Sequence, residues 1–135
     1  MEDNNIKYYI YVDKNIKNIF EEQLDIKTYQ DITKLLGVFL DNAIDATKDA
    51  KVKEIEIDIQ KENECIVINI SNTFDEGLDI KQIGKKGFTT KGMGHGYGLS
   101  IVKDIAKHNE SIETIKDVEN EKFKQTIILY YKKEK

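Results

Sequence analysis

The sequence predicts a two-layer α/β sandwich: a mixed, largely antiparallel sheet with helices packed on it. Three observations carry that prediction. The segment "DITKLLGVFLDNAIDATKDA" (Asp31–Ala50) places Ile32, Leu35, Leu36, Phe39, Leu40, Ala43 and Ala46 at spacings of three and four, which makes one apolar helical face. "KEIEIDIQ" (Lys53–Gln60) alternates Ile55, Ile57 and Ile59 with Glu56 and Asp58, the period of a half-buried strand. The order of these pieces, with strands and helices mixed along one chain, fits a sheet covered by helices.

Taken in order, "IKYYIYV" (Ile6–Val12) is rich in β-branched and aromatic residues and reads as a first strand. The long helix follows, with Asp31 near its start, where a carboxylate meets the positive end of the helix dipole. After Lys53–Gln60, "ENE" makes a turn and "CIVINIS" (Cys65–Ser71) returns as the second strand of a hairpin. "LDIKQIGKKGF" allows a short helix. "GLSIVKDIAKHN" (Gly98–Asn109) is an amphipathic helix through Leu99, Ile101, Val102, Ile105 and Ala106. Two closing strands are expected near Ser111–Ile115 and Lys124–Tyr131. No internal repeat or low-complexity linker interrupts the chain, so residues 1–135 read as one domain.

Composition narrows the function classes. With 39% hydrophobic and 34% charged residues, the chain fits a soluble globular domain that can bury a core. The net charge of −4, with lysines and acids mixed along the chain, disfavours a nucleic-acid partner. No apolar run reaches the roughly 18–20 residues of a membrane span, so no membrane contact is expected of the domain itself. Cys65 has no internal disulfide partner and reads as an inert core thiol in a reducing, cytoplasmic setting. Tyr8, Tyr9, Tyr11, Tyr130 and Tyr131 read as sheet and edge residues, and His108 as a partner for the negative end of a helix dipole.

Three stretches could carry chemistry. In the long helix, Leu35, Phe39, Asn42 and Ala46 follow a 4-3-4 spacing, so Asn42 falls at the border of the apolar stripe with Asp45 one turn on. Such an asparagine either bonds neighbouring backbone or offers an amide oxygen to a hard cation such as Mg²⁺. At the hairpin exit, Asn72 is either a turn former or a side chain that hydrogen-bonds a planar ligand. In "KGFTTKGMGHGYGLSIVKDI" (Lys86–Ile105) stand five of the chain's eight glycines, Gly87, Gly92, Gly94, Gly96 and Gly98. Neither the P-loop nor the dinucleotide fingerprint is present. What the spacing allows is a loop whose backbone N–H groups approach an anion at a helix N-terminus, with Lys91 as a nearby positive charge.

"LLGVFLDNAIDA", "INISNTF" and "KGFTTKGMGHGYGLSIV", in that order, resemble the ATP-binding domain of sensor histidine kinases in the GHKL superfamily, over about Ile6 to Tyr131. Among the subfamilies the motifs look most like the AgrC-type quorum-sensing kinases. The resemblance implies a Bergerat-type fold with a flexible ATP lid from about Gly84 to Gly98, whose glycine content and few apolar anchors predict disorder without nucleotide. It implies Mg-ATP as ligand, with Asn42 as the Mg²⁺ ligand and Asp45 as indirect support. Asn72 would accept from the adenine amino group where the family usually has aspartate; Gly77 is a weaker match nearby. Phe88 would precede the lid, and Ala46, Thr90, His95, Tyr97 and Leu99 would line the nucleotide. Gly94, Gly96 and Gly98 would close over the phosphates, and Lys91 would reach a phosphate oxygen; Asn42 and Lys91 are thus the residues implied in catalysis.

Val38 stands where ATP-hydrolysing relatives carry a glutamate, which implies transfer to a protein and not to water. The acceptor implied is a histidine on a dimerisation helix hairpin of the same kinase, followed by a response regulator. The implied setting is a cytoplasmic domain of a membrane-anchored sensor. The alternatives are an anti-sigma-factor-type serine kinase of the same fold and a nucleotide-sensing module without transfer.

Overall fold

The structure, a computed structural model, describes residues 5–75 and 98–131. The elements are β1 (Lys7–Val12), α1 (Ile16–Glu22), α2 (Ile26–Thr47), β2 (Glu54–Glu62), β3 (Cys65–Asn72), α3 (Gly98–His108), β4 (Ile112–Glu119) and β5 (Lys122–Tyr130). The five strands form one sheet in the order β1-β2-β3-β5-β4. β1 and β2 are parallel, from Lys7 opposite Glu54 to Val12 opposite Ile59, as expected of strands joined by a crossover through α1 and α2. The remaining pairs are antiparallel. This is the predicted mixed, largely antiparallel sheet with helices against it.

The period of the strands decides which side chains meet the helices. Along β3, Ile66, Ile68, Ile70 and Asn72 are fully buried and alternate with half-buried Cys65, Val67, Asn69 and Ser71. Along β5 the corresponding set is Phe123, Gln125, Ile127 and Leu129. Against these pack Ile32, Leu35, Phe39 and Ala43 of α2, with Val102 and Ile105 of α3 and Ile16 and Ile19 of α1. Burying a side chain such as Leu35 or Phe39 contributes roughly 1.5–3 kcal/mol. That outweighs the ~1 kcal/mol by which the exposed Gly37 weakens the helix.

Four local readings change. α2 starts at Ile26, capped by Asp25, whose Oδ1 accepts from the Thr28 amide at 2.9 Å. Asp31 therefore lies inside the helix and buried, not at its start. α1 is an additional helix with no counterpart in the sequence reading. β4 and β5 are longer than expected because they meet in a two-residue turn at Asn120 and Glu121, whose φ values of 55° and 64° reverse the chain without glycine. Cys65 lies at a hairpin end outside the inward register, and its Sγ donates to the Glu62 carbonyl at 3.3 Å. Burial, with the Glu62 carboxylate nearby, pushes its thiol pKa up. β1 is an edge strand with Tyr8, Tyr9 and Tyr11 exposed.

Candidate functional site

Asn42 follows Phe39 by three residues and precedes Ala46 by four, so it borders the buried stripe and is half-buried. Its Nδ2 donates to Gln125 Oε1 at 3.0 Å. Gln125 in turn donates through Nε2 to the Phe39 carbonyl at 3.0 Å, one turn back on α2. Ala46 is buried on the same side of the helix. Asp45 is mostly covered and pairs with Lys48 at 3.6 Å, so a cation of its own helix already offsets its charge.

Asn72 closes β3 in the inward register and is fully buried. Its Nδ2 donates to the Thr73 carbonyl at 2.8 Å. Its Oδ1 is buried and has no hydrogen-bond partner among the described residues. An acceptor left this way costs roughly 1–3 kcal/mol, which a donor brought by a ligand would offset. Next to it, the Thr73 hydroxyl hydrogen-bonds the Thr47 hydroxyl and accepts from the Glu54 amide at 3.1 Å. The end of α2 is thereby fastened to the end of β3 and the start of β2.

These bonds bring Asn42 and Asn72 to one end of the sandwich. Gln125 sits opposite Ile70 in the sheet, and Asn72 is two residues further along β3, roughly 7 Å, on the same face. Thr47, five residues after Asn42 and about 7.5 Å up the helix, meets Thr73. Asn42, Asp45, Ala46 and Asn72 thus share a region, two amide oxygens among them. Val38 packs against the core as a partly buried side chain.

Of the remaining predicted site residues, Phe88, Thr90, Lys91, Gly94, His95, Gly96 and Tyr97 lie outside the described residues, as do Gly77 and the short helix expected before the glycine-rich loop. Gly98 and Leu99 open α3. At the other end of that helix, His108 Nδ1 lies 3.0 Å from the Asp104 carbonyl, the dipole-end contact expected of it. A concavity lined by Ile16, Phe20, Leu24, Ile26 and Tyr29 lies near the start of α2, away from Asn42, and holds none of the predicted groups. Gln125, Thr47 and Thr73 are not among the residues that the sequence motifs point to. For Gln125 a signal existed, because it is the one polar residue in the inward series Phe123, Gln125, Ile127, Leu129.

The GHKL domain family matches this chain over residues 27–130. The sensor protein CitS of Bacillus subtilis (strain 168) is 36% identical over 76 residues, a stretch covering 54% of this chain and 14% of CitS. The chain thus matches only a small part of that relative's length. Among solved structures, the nucleotide-free catalytic domain of the histidine kinase ThkA superposes with a TM-score of 0.68 at 20% identity, covering 95% of this chain and 80% of that one. ThkA in complex with the response regulator TrrA gives 0.62 at 20% identity over 95% of this chain and 35% of that one. The Acinetobacter baumannii histidine kinase AdeS gives 0.64 at 13% identity over 96% and 56%. At such identities these likenesses establish the fold, which is that of histidine kinase catalytic domains.

Proposed function

The chain belongs to the GHKL domain family, and from that premise we propose that residues 1–135 form the ATP-binding catalytic domain of a sensor histidine kinase. The observation that carries the proposal is Asn72. A fully buried amide oxygen without a partner among the described residues, at the strand end where the family holds adenine, fits the donor that a purine amino group brings. Asn42 fits the metal in turn, since its NH₂ is committed to Gln125 and its oxygen is the end left for a hard cation.

Phosphoryl transfer depends mainly on positioning and on balancing charge. Bound Mg²⁺ would supply charge neutralisation at the phosphates. Asn42 holds its oxygen on a rigid helix, Asn72 orients the base, and Lys91 with Gly94, Gly96 and Gly98 attends the phosphates. Val38 offers no base to activate water, which leaves the γ-phosphoryl group for a protein acceptor. That acceptor is a histidine on the kinase's dimerisation helix hairpin, and a response regulator receives the group next; the solved complex of ThkA with the response regulator TrrA supports a regulator as partner. The motifs "FLDNAID" and "TTKGMGHGYGLS" favour an AgrC-type sensor, of which this is a cytoplasmic part with a membrane anchor elsewhere. No described helix is long and apolar enough to cross a membrane.

Titration calorimetry with ATP, with and without Mg²⁺, tests the binding reading: heat is expected with Mg-ATP, and its absence for the wild-type chain overturns it. Mixing the chain with its kinase's helix hairpin and Mg-ATP is expected to yield acid-labile phosphohistidine. Binding without that product would leave a nucleotide-sensing module instead.

A further inference from the structure

Gln125 occupies a position that packing alone would give to an apolar residue. It is fully buried, between Phe123 and Ile127 in the inward register of β5. Burying a primary amide without partners costs several kcal/mol, so a glutamine here survives only with its bonds made. Both bonds run to α2, one to the Phe39 carbonyl and one to Asn42.

The polarity of these two bonds fixes the polarity of Asn42. A backbone carbonyl only accepts, so the end of Gln125 that faces Phe39 must be its NH₂. The opposite end, Oε1, then faces Asn42 and can only accept. Asn42 must answer with its own NH₂, which turns its Oδ1 away from Gln125. An asparagine amide is nearly symmetric in shape, and without such a partner it can present either end. Presenting NH₂ to a cation would be repulsive.

We infer that Gln125 is a positioning residue: it reads the fixed polarity of the Phe39 carbonyl and holds Asn42 with its oxygen, not its nitrogen, towards the metal. The inference rests on the reading of Asn42 as the Mg²⁺ ligand. It concerns a different residue, on a strand that the glycine-rich and asparagine motifs do not reach.

The test uses the whole 135-residue chain and reads the ratio of ATP affinities with Mg²⁺ and with EDTA. Gln125→Met keeps the volume and removes both bonds; the Mg²⁺ enhancement is expected to fall roughly 2- to 10-fold, the bias of one neutral hydrogen bond. Gln125→Glu keeps an acceptor for Asn42 and is expected to retain the enhancement while melting lower. In an Asn42→Ala background, Gln125→Met is expected to change the ratio no further. A Gln125→Met protein that melts lower but keeps the full enhancement overturns the inference and leaves the functional reading standing. A wild-type chain with no Mg²⁺ enhancement overturns both. Should Gln125→Met fail to fold, the wild-type Asn42 side-chain amide decides: a proton protected from solvent exchange supports the inference, and two protons exchanging as in an exposed asparagine overturn it.

Discussion

Two buried polar clusters tie α2 to its neighbours, eleven residues apart and so roughly 16 Å along the helix. Around Asp31 every bond is made. Asp31 Oδ1 accepts from Lys27 Nζ at 3.0 Å and Oδ2 from Asn109 Nδ2 at 2.9 Å, while Asn109 Oδ1 accepts from the Ser111 amide at 3.0 Å. This cluster locks the end of α3 to α2. At the other end, Asn42 and Gln125 are bonded but Asn72 keeps a buried oxygen without a described partner. Buried polarity is therefore a poor marker of function by itself. A closed network holds the fold, whereas the open acceptor of Asn72 is where a donor brought by the proposed ligand would be stabilising.

Substitution at the closed cluster should have the larger effect on stability. Asp31→Ala removes a buried charged acceptor and leaves Asn109 Nδ2 with only the Thr28 hydroxyl, at 3.3 Å, among the described residues; a loss of about 2–3 kcal/mol is expected in urea titration. ATP affinity should stay at the wild-type value wherever the variant is folded. An Asp31→Ala protein as stable as wild type would break the contrast. At the open site the signature should reverse. Asn72→Leu removes the oxygen that has no described partner along with the bond to Thr73, two changes of opposite sign, so stability should remain within about 1 kcal/mol of wild type. ATP affinity should fall by about tenfold, or roughly 1.4 kcal/mol. If calorimetry shows unchanged affinity, Asn72 is a turn former and its open oxygen has no role in binding.

The two clusters were not equally legible in the sequence. Asn42 stood out because it breaks a long apolar stripe, and Asn72 because it ends an alternating strand. Asp31 was misplaced because the first turn of α2 buries no large apolar residue: Ile26 is 74% and Tyr29 51% exposed. The periodic signal thus begins only at Ile32, a turn and a half late, and the cap at Asp25 is invisible to it. α1 escaped notice because seven residues with Ile16, Ile19 and Phe20 make too short a pattern to separate from a loop. Gln125 stood in plain register between apolar neighbours, yet its partner Asn42 is 83 residues away. No local pattern encodes a contact that arises only when α2 packs across the sheet onto β5.

The smallest expected effect refines the closed cluster through its charge. Burial raises the pKa of Asp31, but the hydrogen bonds from Asn109 and Lys27 outweigh it and hold the carboxyl below its ordinary 3.8. A carboxylate with a lowered folded pKa stabilises the fold fully above its unfolded value, and that contribution fades as pH falls through the folded one. The wild-type chain should therefore exceed Asp31→Asn in stability by its largest margin near neutrality, and the margin should narrow below about pH 4. Melting both proteins across that range checks the sign. A margin that widened on acidification would mean that burial, and not the bonds to Asn109 and Lys27, governs Asp31.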